Sequence, residues 1–175
     1  IPEMAKGGAI GVKAFMAHSG LDEFPWVTAD DLRRGMIEAA KVDMLVSVHA
    51  ESEALLRKPK GPTVEDFLES RLIETEVEAI RVACDLAGET GCRLHVVHVS
   101  CPEGIAVISK AKSNGVDVTA ETCPHYLVFD ESDMIERGAV AKCAPPLRPA
   151  GTKNGLWTEV RSRRVDTIGS DHSPA

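Results

Sequence analysis

Aromatic residues are scarce in this chain, only 4% of the whole, which argues against a surface for stacking unpaired bases. Positive charge is also in deficit. Against 27 aspartates and glutamates stand 20 lysines and arginines, and the net charge of −7 argues against nucleic acid and anionic membranes as partners. No apolar run approaches the ~20 residues of a membrane span. No secretory leader is visible, although the chain opens on Ile1 rather than Met, so that absence carries little weight. The five cysteines (Cys84, Cys92, Cys101, Cys123, Cys143) are odd in number and include no C-x-x-C pair. This argues against a disulfide framework or a zinc ribbon and fits reduced thiols in a cytoplasmic protein, with Cys84 a small core hydrophobe.

What remains is an ordinary globular composition, 43% hydrophobic over 175 residues, enough for one domain (1–175) with a real core. Strand and helix patterns alternate. Ile10 to Phe15 reads as a strand, and Thr28 with Asp31 forms a capping box for a helix to about Lys41. Met44 to His49 is a second strand. Thr75 with Glu78 is expected to cap a helix whose apolar positions Val77, Ile80, Cys84 and Ala87 step by three and four, ending at Gly91. Leu94 to Val99 is a third strand, and Ser100 with Glu103, followed by Pro102, opens a helix to about Asn114. Val116 to Ala120, a short helix from Gly155 to Arg163, and Val165 to Ile168 complete the series. Two stretches break the rhythm: Leu56 to Pro62, basic and proline-rich, and Glu121 to Pro149. Strands separated by helices imply right-handed βαβ units and a parallel α/β sheet. A closed (β/α)8 barrel needs eight strands, and about five are present. The chain therefore reads as an open five-stranded domain or as part of a barrel.

Four of these strands carry a chemically active side chain at or near the C-terminal end: Lys13, His49, His98 and Asp171. In a barrel such positions meet on one rim, where a metal centre can form. Each has a bland alternative. A lone histidine is by default a core or capping residue, but two at equivalent strand ends favour ligation by neutral imidazole. Strand parity turns His95 and His98 to opposite faces, and His98 is the better candidate, with His95 expected on the helix side. Lys13 interrupts an apolar strand, and burial would require an ion pair, a Schiff base with a carbonyl substrate, or carboxylation to a carbamate that bridges two cations. Asp171 fits a ligand, a general base, both, or a turn aspartate before Ser173-Pro174. Glu51 is either a partner behind a ligand or a solvated loop carboxylate.

The runs Gly11-Val12-Lys13-Ala14-Phe15-Met16, His49-Ala50-Glu51-Ser52, His98-Val99-Ser100, Glu121-Thr122-Cys123-Pro124-His125-Tyr126-Leu127, Cys143-Ala144-Pro145-Pro146-Leu147-Arg148 and Ser170-Asp171-His172-Ser173-Pro174 resemble, in order, the cyclic amidohydrolases of the amidohydrolase superfamily. That group includes allantoinases, dihydropyrimidinases (hydantoinases) and dihydroorotases; the wording at Pro124 to Leu127 and Lys142 to Pro146 is most similar to the allantoinase branch. The resemblance implies a partial TIM-type (β/α)8 barrel and two divalent metal ions, zinc by preference. Lys13 would be the carboxylated bridging lysine, His49 and His98 ligands of one metal, and Asp171 a ligand of the other and the catalytic base. Main-chain groups of Cys143, Ala144 and Pro145 would contact the substrate. A bridging hydroxide would open the amide bond of a small cyclic ureide, allantoin to allantoate, in purine catabolism, with the full-length protein a homo-oligomer. Hydantoin or dihydropyrimidine hydrolysis, and a non-catalytic scaffold of the same fold, are the competing readings. Two departures stand out. The first-strand His-x-His pair of the family is missing, so the 175 residues alone are expected to be inactive. The tyrosine that hydantoinases place five residues after the lysine is replaced by His18.

Overall fold

The computed structural model describes residues 1–172; Ser173 and Pro174 of the last motif lie outside the described residues. After a short first helix α1 (Pro2–Lys6), strand β1 (Gly11–Phe15), helix α2 (Ala29–Ala40) and strand β2 (Leu45–His49) form the first βαβ unit. Thr28 and Asp31 make the reciprocal capping box that the sequence anticipates, the hydroxyl accepting from the Asp31 N–H at 3.1 Å. Helices α3 (Val64–Ser70) and α4 (Ile73–Thr90) lead to β3 (Leu94–Val96), and α5 (Pro102–Ser113) leads to β4 (Val118–Thr122). The long connection from β4 holds α6 (Pro124–Val128) and α7 (Glu131–Arg137), before α8 (Ala150–Arg161) and β5 (Thr167–Ile168).

Several boundaries differ from expectation. Helix α4 starts two residues before Thr75, whose hydroxyl donates to Leu72 O at 2.7 Å instead of capping. It ends as foreseen, with Gly91 at φ 67°, a left-handed turn glycine adopts without steric penalty. Ser100 does not cap α5; the N-cap is Cys101, which makes no side-chain capping bond. The Ser100 hydroxyl is already committed to the buried Glu76 carboxylate. Helices α3, α6 and α7 fall in or beside stretches read as irregular, because each spans only five to seven residues and shows too little periodicity.

All pairings are parallel, and the strand order is β1-β2-β3-β4-β5 with no switch point. That sequential order, with helical crossovers, is how a barrel wall is laid down, whereas a doubly wound sheet reverses direction. The two faces differ in chemistry. Val46, Val48, Leu94, Val96, Val118 and Ala120 point one way and are buried against α2, α4 and α5, whose Leu32, Met36, Ile80, Cys84, Ile105 and Ile108 complete the core. The opposite face carries a register row of Lys13, Ser47, His95 and Thr119, followed by Phe15 beside His49. His95 therefore shares the face of Lys13 and does not point to the helices as expected. Its Nδ1 lies 2.7 Å from Thr119 Oγ1, and its Nε2 lies 3.7 Å from Glu121.

Candidate metal centre and active site

The inner face ends in a cavity of about 340 Å³ lined by Lys13, Phe15, His18, Ser19, His49, Arg71, His98, Ala144, Asp171 and His172. All four residues singled out for chemistry thus line one cavity, on the C-terminal edge of the sheet.

His49 reaches it by strand parity, from the last position of β2 and on the face of Lys13. His98 arrives differently. Regular extension stops at Val96, and His98 has a left-handed backbone (φ 44°), which returns its ring to the side of His95. The parity argument that set His95 and His98 on opposite faces therefore does not operate here. His49 Nδ1 and His98 Nε2 lie 3.1 Å apart, with ring centroids at 4.7 Å. Behind them, His49 Nε2 is 2.8 Å from the fully buried Glu51 carboxylate, which is also paired with Arg71. Glu51 is thus a partner behind the ring, not a solvated loop residue. Burial works against its charge, but the His49 hydrogen bond and the Arg71 guanidinium hold its pKa below the ordinary value. Burial, then the neighbouring His49 and Lys13, push His98 well below the usual histidine range, so it is a neutral donor at pH 7.

The tautomers follow. A proton on His49 Nε2 faces Glu51 and leaves the Nδ1 lone pair towards His98. If His98 Nε2 fills that lone pair with its own proton, its buried Nδ1 is left without a partner, as is Glu51 Oε1. A cation between Nδ1 and Nε2 would take both lone pairs and place the His98 proton on Nδ1, which has no hydrogen-bond partner among the described residues. A carboxylate behind a ligating histidine is the usual device for orienting such a ring. The donor set fits a borderline-soft divalent metal such as zinc. Among the described residues no three His, Cys, Asp or Glu side chains form a compact donor cluster. A metal centre built on the imidazole pair would need a lysine-derived ligand and Asp171 in addition.

Lys13 and Asp171 are exposed. The expected burial of Lys13 is not seen, since no second wall covers this face; among the described residues it has no ion pair, and its Nζ sits 5.1 Å from the Phe15 ring centroid. Asp171, at φ 51°, lines both this cavity and an adjoining one of about 580 Å³ that includes His125, Cys143 and Ser170. The proposed substrate segment is divided. Ala144 lines the first cavity and Cys143 the second, while Pro145 is buried with its carbonyl accepting from Tyr126 Oη at 2.6 Å. That bond anchors the loop.

One buried ion pair was not singled out from the sequence. Arg148 pairs with Glu76 at 2.9 Å, donates to Ser100 Oγ at 2.9 Å and reaches Arg71 O at 2.5 Å. It ties the loop after α7 to α4 and to the turn behind His98. All five cysteines are free, and burial pushes Cys84 up to about 12 and Cys143 up to about 11, as expected for protonated, inert thiols.

A parallel sheet in barrel order, with imidazoles, a lysine and an aspartate at its C-terminal edge, is the arrangement expected of a metal-dependent hydrolase type of barrel, and comparison narrows it. No protein-family model matches the chain. It is 47% identical over 184 residues to the allantoinase of Deinococcus radiodurans, covering all of this chain and 41% of that protein, and 47% identical over 181 residues to the allantoinase of Solibacter usitatus, covering 98% and 39%. Among solved structures, the L-hydantoinase (dihydropyrimidinase) from Arthrobacter aurescens superposes with a TM-score of 0.93 at 36% identity, over 97% of this chain and 39% of that one. Over its whole length the chain is similar to cyclic amidohydrolases, with allantoinases among its relatives in sequence and hydantoinases among its neighbours in structure. It spans about two fifths of the length of the relatives it matches.

Proposed function

We propose that the protein to which these residues belong hydrolyses the amide bond of a cyclic ureide, allantoin to allantoate in the first instance. The reading is carried by the imidazole pair, His49 Nδ1 facing His98 Nε2 at 3.1 Å, in one cavity with Lys13 and Asp171. His49 and His98 would hold one divalent cation. Lys13, carboxylated on Nζ, would share it with a second, to which Asp171 also contributes. Two such cations, zinc by preference, supply Lewis acidity at the scissile carbonyl.

The chain's own residues do the rest. Glu51 fixes the His49 ring, and Arg71 keeps Glu51 charged. Asp171 takes a proton from the attacking water and returns it to the leaving nitrogen as the C–N bond breaks and the water oxygen bonds to carbon. Main-chain groups of Ala144, and of Cys143 on the adjoining cavity, border the space for the ring. The likeness to the hydantoinase fold supports a second reading, a hydantoin or dihydropyrimidine substrate, with the same residues in the same roles.

The test uses the full-length protein, loaded with zinc and offered allantoin, hydantoin and dihydrouracil. Lys13→Ala should lose bound metal and activity together, and small carboxylic acids, standing in for the carbamate, should restore part of both. Asp171→Asn should lower kcat by at least 10²-fold with the fold intact. Full turnover and full metal content in Lys13→Ala would remove the bridging role.

A further inference from the structure

We propose that Glu76 and Arg148 are positioning residues for the two imidazoles: the pair holds His98 in its left-handed turn through Ser100, and holds Arg71 in place behind Glu51 and His49. The inference rests on the reading of His49 and His98 as ligands of a metal.

Neither Glu76 nor Arg148 lines the cavity, so both act through what they hold. The Ser100 N–H donates to Glu76 Oε1 at 2.7 Å and its hydroxyl donates to Glu76 Oε2. Arg148 Nε–H donates to the same hydroxyl at 2.9 Å. Ser100 is thus pinned at both its N–H and its side chain, just beyond His98 and Val99. His98 needs such a fastening. Its φ of 44° is one that a residue with a side chain keeps only where its surroundings enforce it. That angle brings its Nε2 to 3.1 Å from His49 Nδ1. The second branch starts at Arg148 Nη1, which donates to Arg71 O at 2.5 Å. The Arg71 guanidinium pairs with Glu51, and Glu51 faces His49 Nε2 at 2.8 Å. One guanidinium therefore stands behind both imidazoles, and its Nη2, donating to Glu76 Oε2 at 2.9 Å, fixes its plane.

Stability alone does not account for this arrangement. A buried ion pair gains little over well-packed apolar side chains of like volume. What apolar side chains cannot supply is direction, and every bond of this network aims at one particular atom. The alternative is that the pair serves only to hold the fold. The turn at His98 would then be fixed by the sheet, where the Val97 N–H donates to Val48 O at 3.3 Å and the Val99 N–H to Glu121 O at 2.7 Å.

The experiment compares full-length wild type with Glu76→Leu/Arg148→Met, whose apolar replacements fill the same space without the directed bonds. Competition with a chromophoric chelator reads zinc affinity, the visible spectrum of the cobalt(II) form reads coordination, and chemical denaturation reads stability. The proposal expects zinc binding about 10–100-fold weaker, with an altered cobalt spectrum, in a variant close to wild type in stability. Wild-type affinity and spectrum in that variant would overturn it. Ser100→Ala covers the case in which the double variant does not fold. It keeps the ion pair, removes the hydroxyl that joins the pair to the turn, and should weaken zinc binding about tenfold; unchanged affinity would equally overturn the proposal. Should wild type bind neither zinc nor cobalt, the reading of the imidazoles as ligands fails by itself. The pair is then judged without metal, by hydrogen exchange. The amides of Val97 and Val99 should exchange about tenfold faster in Ser100→Ala while those of α2 keep their wild-type rates; equal exchange at Val97 and Val99 would overturn it.

Discussion

The ligand candidates differ in how they reach the site. His49 is delivered by strand parity. His98 needs a left-handed backbone angle of 44°, which departs from the extended pattern expected across Leu94 to Val99. Glu51 follows His49 by two residues and shares its face, yet its role became definite only when Arg71, twenty residues on, was found beside it. That pairing yields a prediction. Glu51→Gln in the full-length protein keeps the shape but weakens the hold on the His49 tautomer, so zinc affinity should fall about 10–100-fold. Competition with a chromophoric chelator measures it, and an unchanged affinity would show that Glu51 serves Arg71 rather than the metal.

Among the elements, those with long periodic patterns, α2 and α4, were legible, as was the alternation of strands and helices. The short helices α3, α6 and α7 were not, because five to seven residues give too little periodicity to separate a helix from a loop. The capping role foreseen for Ser100 failed because a tertiary partner took its hydroxyl. Glu76 and Arg148 lie 72 residues apart and are both nearly inaccessible, at 1% and 6% exposure. Breaking this buried pair with Arg148→Ala leaves Glu76 charged and uncompensated, and should destabilise the fold by about 3–5 kcal/mol in chemical denaturation. The double variant Glu76→Leu/Arg148→Met should recover most of that loss. A single variant within 1 kcal/mol of wild type would mean that water replaces the guanidinium.

The molecule as a whole is a wall with one finished side. The helix-covered face is packed, whereas the inner face is open and both edge strands carry exposed apolar residues, Ile10 on the β1 side and Ile168 in β5. Unpaired edges of this kind invite association with further strands. With only two imidazoles converging among the described residues, a second cation would be held poorly. The 175 residues expressed alone should therefore self-associate, retain less than one zinc per chain after dialysis and show no allantoin turnover. Zinc-dependent turnover by a monodisperse sample of this length would show that the imidazole pair, Lys13 and Asp171 suffice.

The sequence by itself determined the alternation of parallel strands and helices, the capping of α2, the glycine stop of α4 and the candidacy of Lys13, His49, His98 and Asp171. These depend on periodicity, local hydrogen bonding and motif order, all of which act over a few residues. Tertiary structure decided the rest: that His95 shares the face of Lys13, that Glu51 and Arg71 stand behind His49, that Arg148 locks the loop over Glu76, and that Pro145 gives its carbonyl to Tyr126. Each depends on partners brought together across the chain, and a buried charge or carbonyl takes whichever partner the packing supplies.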